Sequence, residues 1–248
     1  MNTNLKTVLL FFAIAQSVSA TTNNYPVAPS VGAGLVGIQV KVGDTSIKLP
    51  SPGDEFVEVG YDNCDFLSYL SVPAENRLVC AYVMTNDFSR FSKRDRKLLL
   101  TRYIMVQVSR QDENRDCSDA CFNDMVSGAK KIFGGNSDTA ISSYFKEEEN
   151  EINRRLKSLN VDGSVTVGQP VKLGSFFSMK DAYAFGMIAP LSFANKTLKM
   201  GGCAILLHVK SRTLFIYVYS EYKGQQTVHF LGNLGEKWMK QIIAANAE

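Results

Sequence analysis

The stretch that most limits what this chain can become runs from Gly201 to Tyr222, GGCAILLHVKSRTLFIYVYSEY. Val, Ile, Leu, Phe and Tyr fill both halves, and these side chains suit a pleated, buried surface. Lys210, Ser211, Arg212 and Thr213 interrupt the run and supply a turn, so the stretch reads as a hairpin with Val209 opposite Leu214. His208 then faces Phe215, and Leu206 faces Tyr217. Strand side chains alternate between faces. One face therefore carries Cys203, Ile205, Leu207, Val209, Leu214, Ile216 and Val218. The other carries Ala204, Leu206, His208, Phe215, Tyr217 and Tyr219. Neither face is polar. A sheet with one wet side alternates apolar with polar residues, so this hairpin is expected at the centre of a sheet and covered on both sides. The aliphatic face calls for a helix. The aromatic face calls for a second layer, or else it forms a groove, and Leu206, His208, Phe215, Tyr217 and Tyr219 are the candidate lining for a ligand or partner.

A helix to cover the aliphatic face follows directly. Trp238, Ile242 and Ala245, with Met239 and Ile243 beside them, form an apolar stripe at helical spacing. Upstream, Gly37 to Leu49 reads as a hairpin turned at Gly43-Asp44 and ended by Pro50-Ser51-Pro52-Gly53. Phe56 to Val59, Leu78 to Met84 and the end of Leu98 to Val108 read as strands. Ser118 is a good cap for a helix whose buried stripe is Phe122, Met125, Val126, Ala129, Ile132 and Phe133, stopped at Gly134-Gly135. A second, charge-rich helix is expected from Ser137 to Leu159. Val165 to Phe177 and Ala182 to Phe193 then read as a pair of strands around a turn at Ser178 to Asp181. Strands, two helices, strands and one helix argue for α+β: a mainly antiparallel sheet packed with about three helices, in one domain spanning 37–248.

The first twenty residues have a different job. Lys6 precedes an apolar run from Thr7 to Ala15, and Val18-Ser19-Ala20 is a small-residue cleavage site, the pattern of a signal peptide. Residues 21–36 are rich in Asn, Pro, Ala and Gly and read as a flexible leader. A periplasmic or secreted location follows. It places the five cysteines where disulfides persist. Cys64 with Cys80 and Cys117 with Cys121 is the economical pairing, leaving Cys203 as a buried free thiol on the aliphatic face. The formal net charge of +3 is too small to imply nucleic acid.

Motifs that would name a chemistry are missing. With two histidines, His208 and His229, and no His-x-His, Cys-x2-Cys or His-Glu-x-x-His spacing, a dedicated transition-metal site is not expected, and no cofactor is implied. There is no phosphate loop and no nucleophile elbow. A Cys203–His208 dyad fails because residues five apart in one strand face opposite ways. His208 among aromatics reads as a histidine hydrogen-bonded to a Tyr. Asp112, Glu113, Asp116 and Asp119 could bind Ca²⁺ loosely, but they lack the spacing of a defined loop and read as a solvated acidic cluster. Arg90, Lys93, Arg94, Arg96 and Lys97 read as a solvated segment, or as a contact for an anionic surface.

The early hairpin ending in LPSPGDEFVEV, the segment ENRLVCAYV and the closing LFIYVYSEY…EKWMKQIIAAN resemble a group of uncharacterised exported bacterial proteins. Their order of elements is similar to the Mog1p/PsbP-like α+β sandwich. The charge-rich helix departs from that pattern. The resemblance implies an accessory or binding role and carries over no functional residue. The expectation is thus a non-enzymatic exported protein that binds an unknown protein or small ligand in the cell envelope. The alternative is a hydrolase or thiol-dependent enzyme using His208, His229 or Cys117/Cys121. N-terminal sequencing of the exported protein should begin at Thr21; recovery of Met1 on it would overturn the reading of residues 1–20 as a cleaved signal peptide.

Overall fold

The computed structural model describes residues 37–59, 72–92, 100–134, 142, 145–147, 149–150, 152–154, 157, 164–193 and 196–247. The expected signal peptide and leader lie outside these, as does Cys64. A first hairpin, β1 (Ile38–Val42) and β2 (Thr45–Leu49), turns at Gly43-Asp44, with Gly43 in the left-handed region at φ 56°. The main sheet has eight strands. They are β3 (Phe56–Val59), β4 (Asn76–Met84), β5 (Arg102–Ser109), β6 (Val165–Val167), β7 (Val171–Ser178), β8 (Ala182–Phe193), β9 (Lys196–Val209) and β10 (Arg212–Glu221). The spatial order is β3-β4-β5-β10-β9-β8-β6, with β7 also paired to β8, and every pairing is antiparallel. Three helices, α1 (Thr85–Ser92), α2 (Asp119–Gly134) and α3 (Gln225–Asn246), accompany it among the described residues. Of the helix expected from Ser137 to Leu159, the described residues within 142–157 are helical. The chain is an α+β protein with a mostly antiparallel sheet.

The hairpin from Gly201 to Tyr222 is central. β10 lies between β5 and β9, and β9 lies between β10 and β8. Its register differs from the expected one. Val209 pairs with Arg212 and Leu207 with Leu214. The turn uses only Lys210 and Ser211, both at positive φ (48° and 58°). Two such residues make the tight turn whose twist matches that of the flanking strands. The error is two residues. A slip of one would exchange the faces, whereas a slip of two leaves every side chain where alternation put it.

A second departure lies in Val165 to Phe177, expected as one strand. It is broken into β6 and β7, which pair successive parts of the long β8. Gly168-Gln169-Pro170 makes the break, since Pro170 has no N–H for a ladder.

Each face of the sheet has its own core. On the aliphatic face, Ile205, Leu207, Ile216 and Val218 pack with Trp238, Met239 and Ile242 of α3 and with Val42, Ile47 and Leu49 of the first hairpin. Gly235 marks a close approach of α3 to the sheet. A Cβ there would lie 3.1 Å from Ile205 Cδ1 and 3.5 Å from Cys203 Sγ. Trp238 is fully buried; its Nε1–H donates to the Pro50 carbonyl at 2.7 Å, and its ring meets Tyr82 edge-on at 5.3 Å. On the aromatic face, Leu206, Phe215, Tyr217 and Tyr219 pack with Phe122, Ala129 and Phe133 of α2. Phe133 stacks on Phe185, ring centroids 3.6 Å apart. The helical stretch within 142–157 docks on β6 through Glu149, which accepts the Val167 N–H at 2.8 Å, and Asn153, which pairs with both backbone groups of Val165. Burial would raise the Glu149 pKa. The Lys146 ammonium and the Val167 N–H outweigh it and hold the carboxyl below its ordinary value.

The C-terminal end of α3 clamps the edge of β2. Asn246 accepts the Lys48 N–H at 2.9 Å and donates to the Lys48 carbonyl at 2.7 Å. Asn246→Ala strands both backbone groups and should cost about 1–3 kcal/mol in urea unfolding. An unchanged midpoint would mean that the clamp contributes nothing.

Candidate functional site

The expected groove on the aromatic face is not there. Leu206, Phe215, Tyr217 and Tyr219 are each at most 3 % exposed beneath α2. The helix stripe read from Phe122 to Phe133 and the aromatic strand face are partners, each hiding the other. Of the five groove candidates only His208, at the end of β9, reaches the surface, with 10 % of its side chain exposed.

His208 stands where three turns meet at one pole of the molecule. The first leads into α2. Ser118 caps that helix, its Oγ accepting the Cys121 N–H at 3.3 Å, and Asp119 is the first helical residue. A disulfide joins Cys117 to Cys121 across the cap. The second is the β7–β8 turn, which carries Lys180 and Asp181. The third is the β9–β10 turn. Backbone hydrogen bonds tie them together: Cys117 N–H to the Ser211 carbonyl at 2.9 Å, and His208 N–H to the Asp181 carbonyl at 2.8 Å.

The imidazole is fixed in three ways. Its Nε2 lies 2.7 Å from the Cys117 carbonyl oxygen. Its ring stacks on Phe122 at 5.2 Å. Its Nδ1 points between two carboxylates, 3.7 Å from Asp119 Oδ1 and 4.0 Å from Asp181 Oδ1. The partner of His208 is therefore a backbone carbonyl and not the Tyr hydroxyl that the aromatic surroundings suggest, because the tyrosines of this face point under α2. Lys180 Nζ lies 3.6 Å from the other oxygen of Asp119. Beside this cluster, Arg212 Nη1 donates to Asp116 Oδ1 at 2.6 Å.

The rest of the acidic cluster is spent on structure. Glu113 pairs with Arg77 at 2.7 Å, and Asp112 accepts the Ser109 hydroxyl at 2.9 Å. Asp119 is the member that turns toward His208. Asp181, which the sequence reading left in a turn, completes the group. No short-spacing motif announces it, since residues 119, 181 and 208 come from separate segments. The one usable signal was Asp181 in a tight turn next to the strand that pairs with β9.

The other candidates are dispersed. His229 is exposed on α3. Arg90 lies on α1 with Nη1 3.8 Å from Asp87; Lys93, Arg94, Arg96 and Lys97 lie outside the described residues. Cys80 is a free, buried thiol and not half of the expected Cys64–Cys80 bond. Its side chain points into the layer beneath α3. Burial pushes the Cys80 thiol far up, Glu58 adds to that, and the Tyr82 hydroxyl works in the opposite direction. Cys203 is likewise free and buried, and burial alone raises it far above the ordinary thiol range. Desolvation disfavours a thiolate at either position.

No family model matches the chain, and no curated protein matches it. Among solved structures it is similar to the Ran-binding protein Mog1p of Saccharomyces cerevisiae, at 12% identity over 85% of this chain and 94% of that one, with a TM-score of 0.30. A point mutant of the protein Mog1 is similar at 12% identity, with the same 85% and 94% coverage and a TM-score of 0.29. The likeness is weak and is one of fold.

The thiols differ in their reach to solvent, and labelling should show it. In the native protein, peptide mapping after treatment with a thiol reagent should find Cys80 and Cys203 unmodified until denaturant is added. After mild reduction frees both thiols of the Cys117–Cys121 bond, Cys121 should label faster than the buried Cys117. Fast native labelling of Cys80 or Cys203 would contradict the packing of α3.

Proposed function

We propose that the chain is an exported, disulfide-stapled binding or accessory protein that works by contact and not by covalent chemistry. The observation that carries this reading is the way His208 is held. A histidine that acts as a general base needs one ring nitrogen facing the nucleophile and the other facing an orienting acid. Here the Cys117 carbonyl holds Nε2, and the remaining nitrogen, Nδ1, faces the carboxylates of Asp119 and Asp181 and not a hydroxyl or thiol that it could activate. The pole is exposed, polar and stapled, which suits recognition better than proton transfer.

Other features point the same way. The two free thiols among the described residues are sealed from solvent. The Cys117–Cys121 bond suits an oxidising compartment. The signal-like N-terminus and the resemblance to exported bacterial proteins agree with a periplasmic or secreted location. Among the described residues no helix is long and apolar enough to cross a membrane. The partner is a protein or small ligand of the envelope, met at the pole around Lys180, Asp181 and Asp119.

A photo-crosslinking residue at Lys180 should give one discrete adduct in the native compartment. The same residue at Lys240, exposed on α3, should give none. Equal labelling from both positions would remove the proposed surface. A hydrolytic activity lost on His208→Ala, with folding intact, would replace this reading with the enzymatic one.

A further inference from the structure

We propose that His208 Nδ1, Asp119 and Asp181 form a binding site for one divalent transition-metal ion of the zinc class. The site stands on its own geometry and does not require the contact surface proposed above.

The Cys117 carbonyl oxygen can only accept, so Nε2, 2.7 Å away, carries the hydrogen. The neutral ring then presents a lone pair at Nδ1. The groups facing that lone pair are Asp119 Oδ1 at 3.7 Å and Asp181 Oδ1 at 4.0 Å. Both are acceptors, and both distances are too long for a hydrogen bond. Three electron-rich atoms from three segments, all within 4.8 Å of one another, thus converge on one point. Like polarity repels unless something electropositive stands between. The imidazole cannot turn away from this point. It is nine-tenths buried, stacked on Phe122 and anchored through Nε2.

The dimensions and chemistry suit a small cation. Ligand atoms about 2.0–2.2 Å from a tetrahedral ion stand about 3.3–3.6 Å from each other. The two nitrogen–oxygen distances are within a few tenths of an ångström of that, and the two carboxylate oxygens, no more than 4.8 Å apart, close by rotation of side chains that reach solvent. A metal-bound histidine commonly donates its other N–H to a backbone carbonyl, which is the bond already present here. Two carboxylates and one imidazole balance a divalent charge and leave a coordination position for water. One nitrogen and two carboxylates favour zinc over calcium, which needs six to eight oxygens. Lys180 is the competing cation. It sits 3.6 Å from Asp119 Oδ2, not Oδ1, and its side chain is 78% exposed, so it can swing into solvent.

The test is calorimetric titration of Zn²⁺ alone into the oxidised, exported chain, in a His229→Ala background that removes an exposed imidazole. One ion should bind per chain. Asp181→Asn and Asp119→Asn should each weaken binding by at least roughly tenfold, the loss seen even for outer-shell partners of a metal. Asp124→Asn, an exposed carboxylate farther along α2, should leave it unchanged. Nitrogen NMR should show the His208 Nδ1 resonance moving while Nε2–H is retained. Absence of binding overturns the site. So does binding that survives both Asp119→Asn and Asp181→Asn, or calcium binding as tight as zinc. Zinc binding without a crosslink at Lys180 would leave the metal site standing and remove only the contact surface.

Discussion

Between Met200 and Glu221 two strands pair residue for residue, and both faces of the ladder are buried. Each aliphatic or aromatic side chain taken out of water there is worth about 1.5–3 kcal/mol, so both faces must be covered before the hairpin is stable. That requirement organises the molecule. α3 and the first hairpin close the aliphatic side, and α2 closes the aromatic side. The outer strands extend the sheet from this centre, β5, β4 and β3 in one direction and β8, β7 and β6 in the other.

Closing the aromatic side has a consequence for chemistry. α2 joins the core that holds Phe215, Tyr217 and Tyr219, and its first turn arrives at the end of β9, where Phe122 stacks on His208. That places the Cys117 carbonyl on the His208 ring and Asp119 beside it. The disulfide and the Ser118 cap hold that first turn in place. The β7–β8 turn comes to the same pole because β8 pairs with β9, and the His208 N–H bonds to the Asp181 carbonyl. The polar cluster is therefore a by-product of how the core is sealed, and its rigidity comes from that seal.

Much of the fold was legible in the residues. Alternation in Gly201 to Tyr222 assigned the two faces, and the stripe around Trp238 supplied a helix that does cover the aliphatic one. The α2 stripe was legible as well. The register was not, because four polar residues, Lys210 to Thr213, can make a turn of two or four, and only the strand twist selects Lys210-Ser211. The groove failed for a related reason: two apolar stripes read separately do not say that they meet. Cys80 shows the same limit, since neighbouring segments in sequence suggested a bond to Cys64 that the buried position of its side chain does not offer.

Residue order alone carries the periodic properties: which segments are strands or helices, and which side chains share a face. Those properties follow from local backbone geometry, so a few neighbouring residues suffice to express them. Which face met which other, and so whether the aromatic surface was a groove or a core, was decided by tertiary packing alone. The cluster of Asp119, Asp181 and His208 belongs to that second class. Its members are far apart along the chain, and they become neighbours only because the helix and turn that carry them converge on the end of one strand.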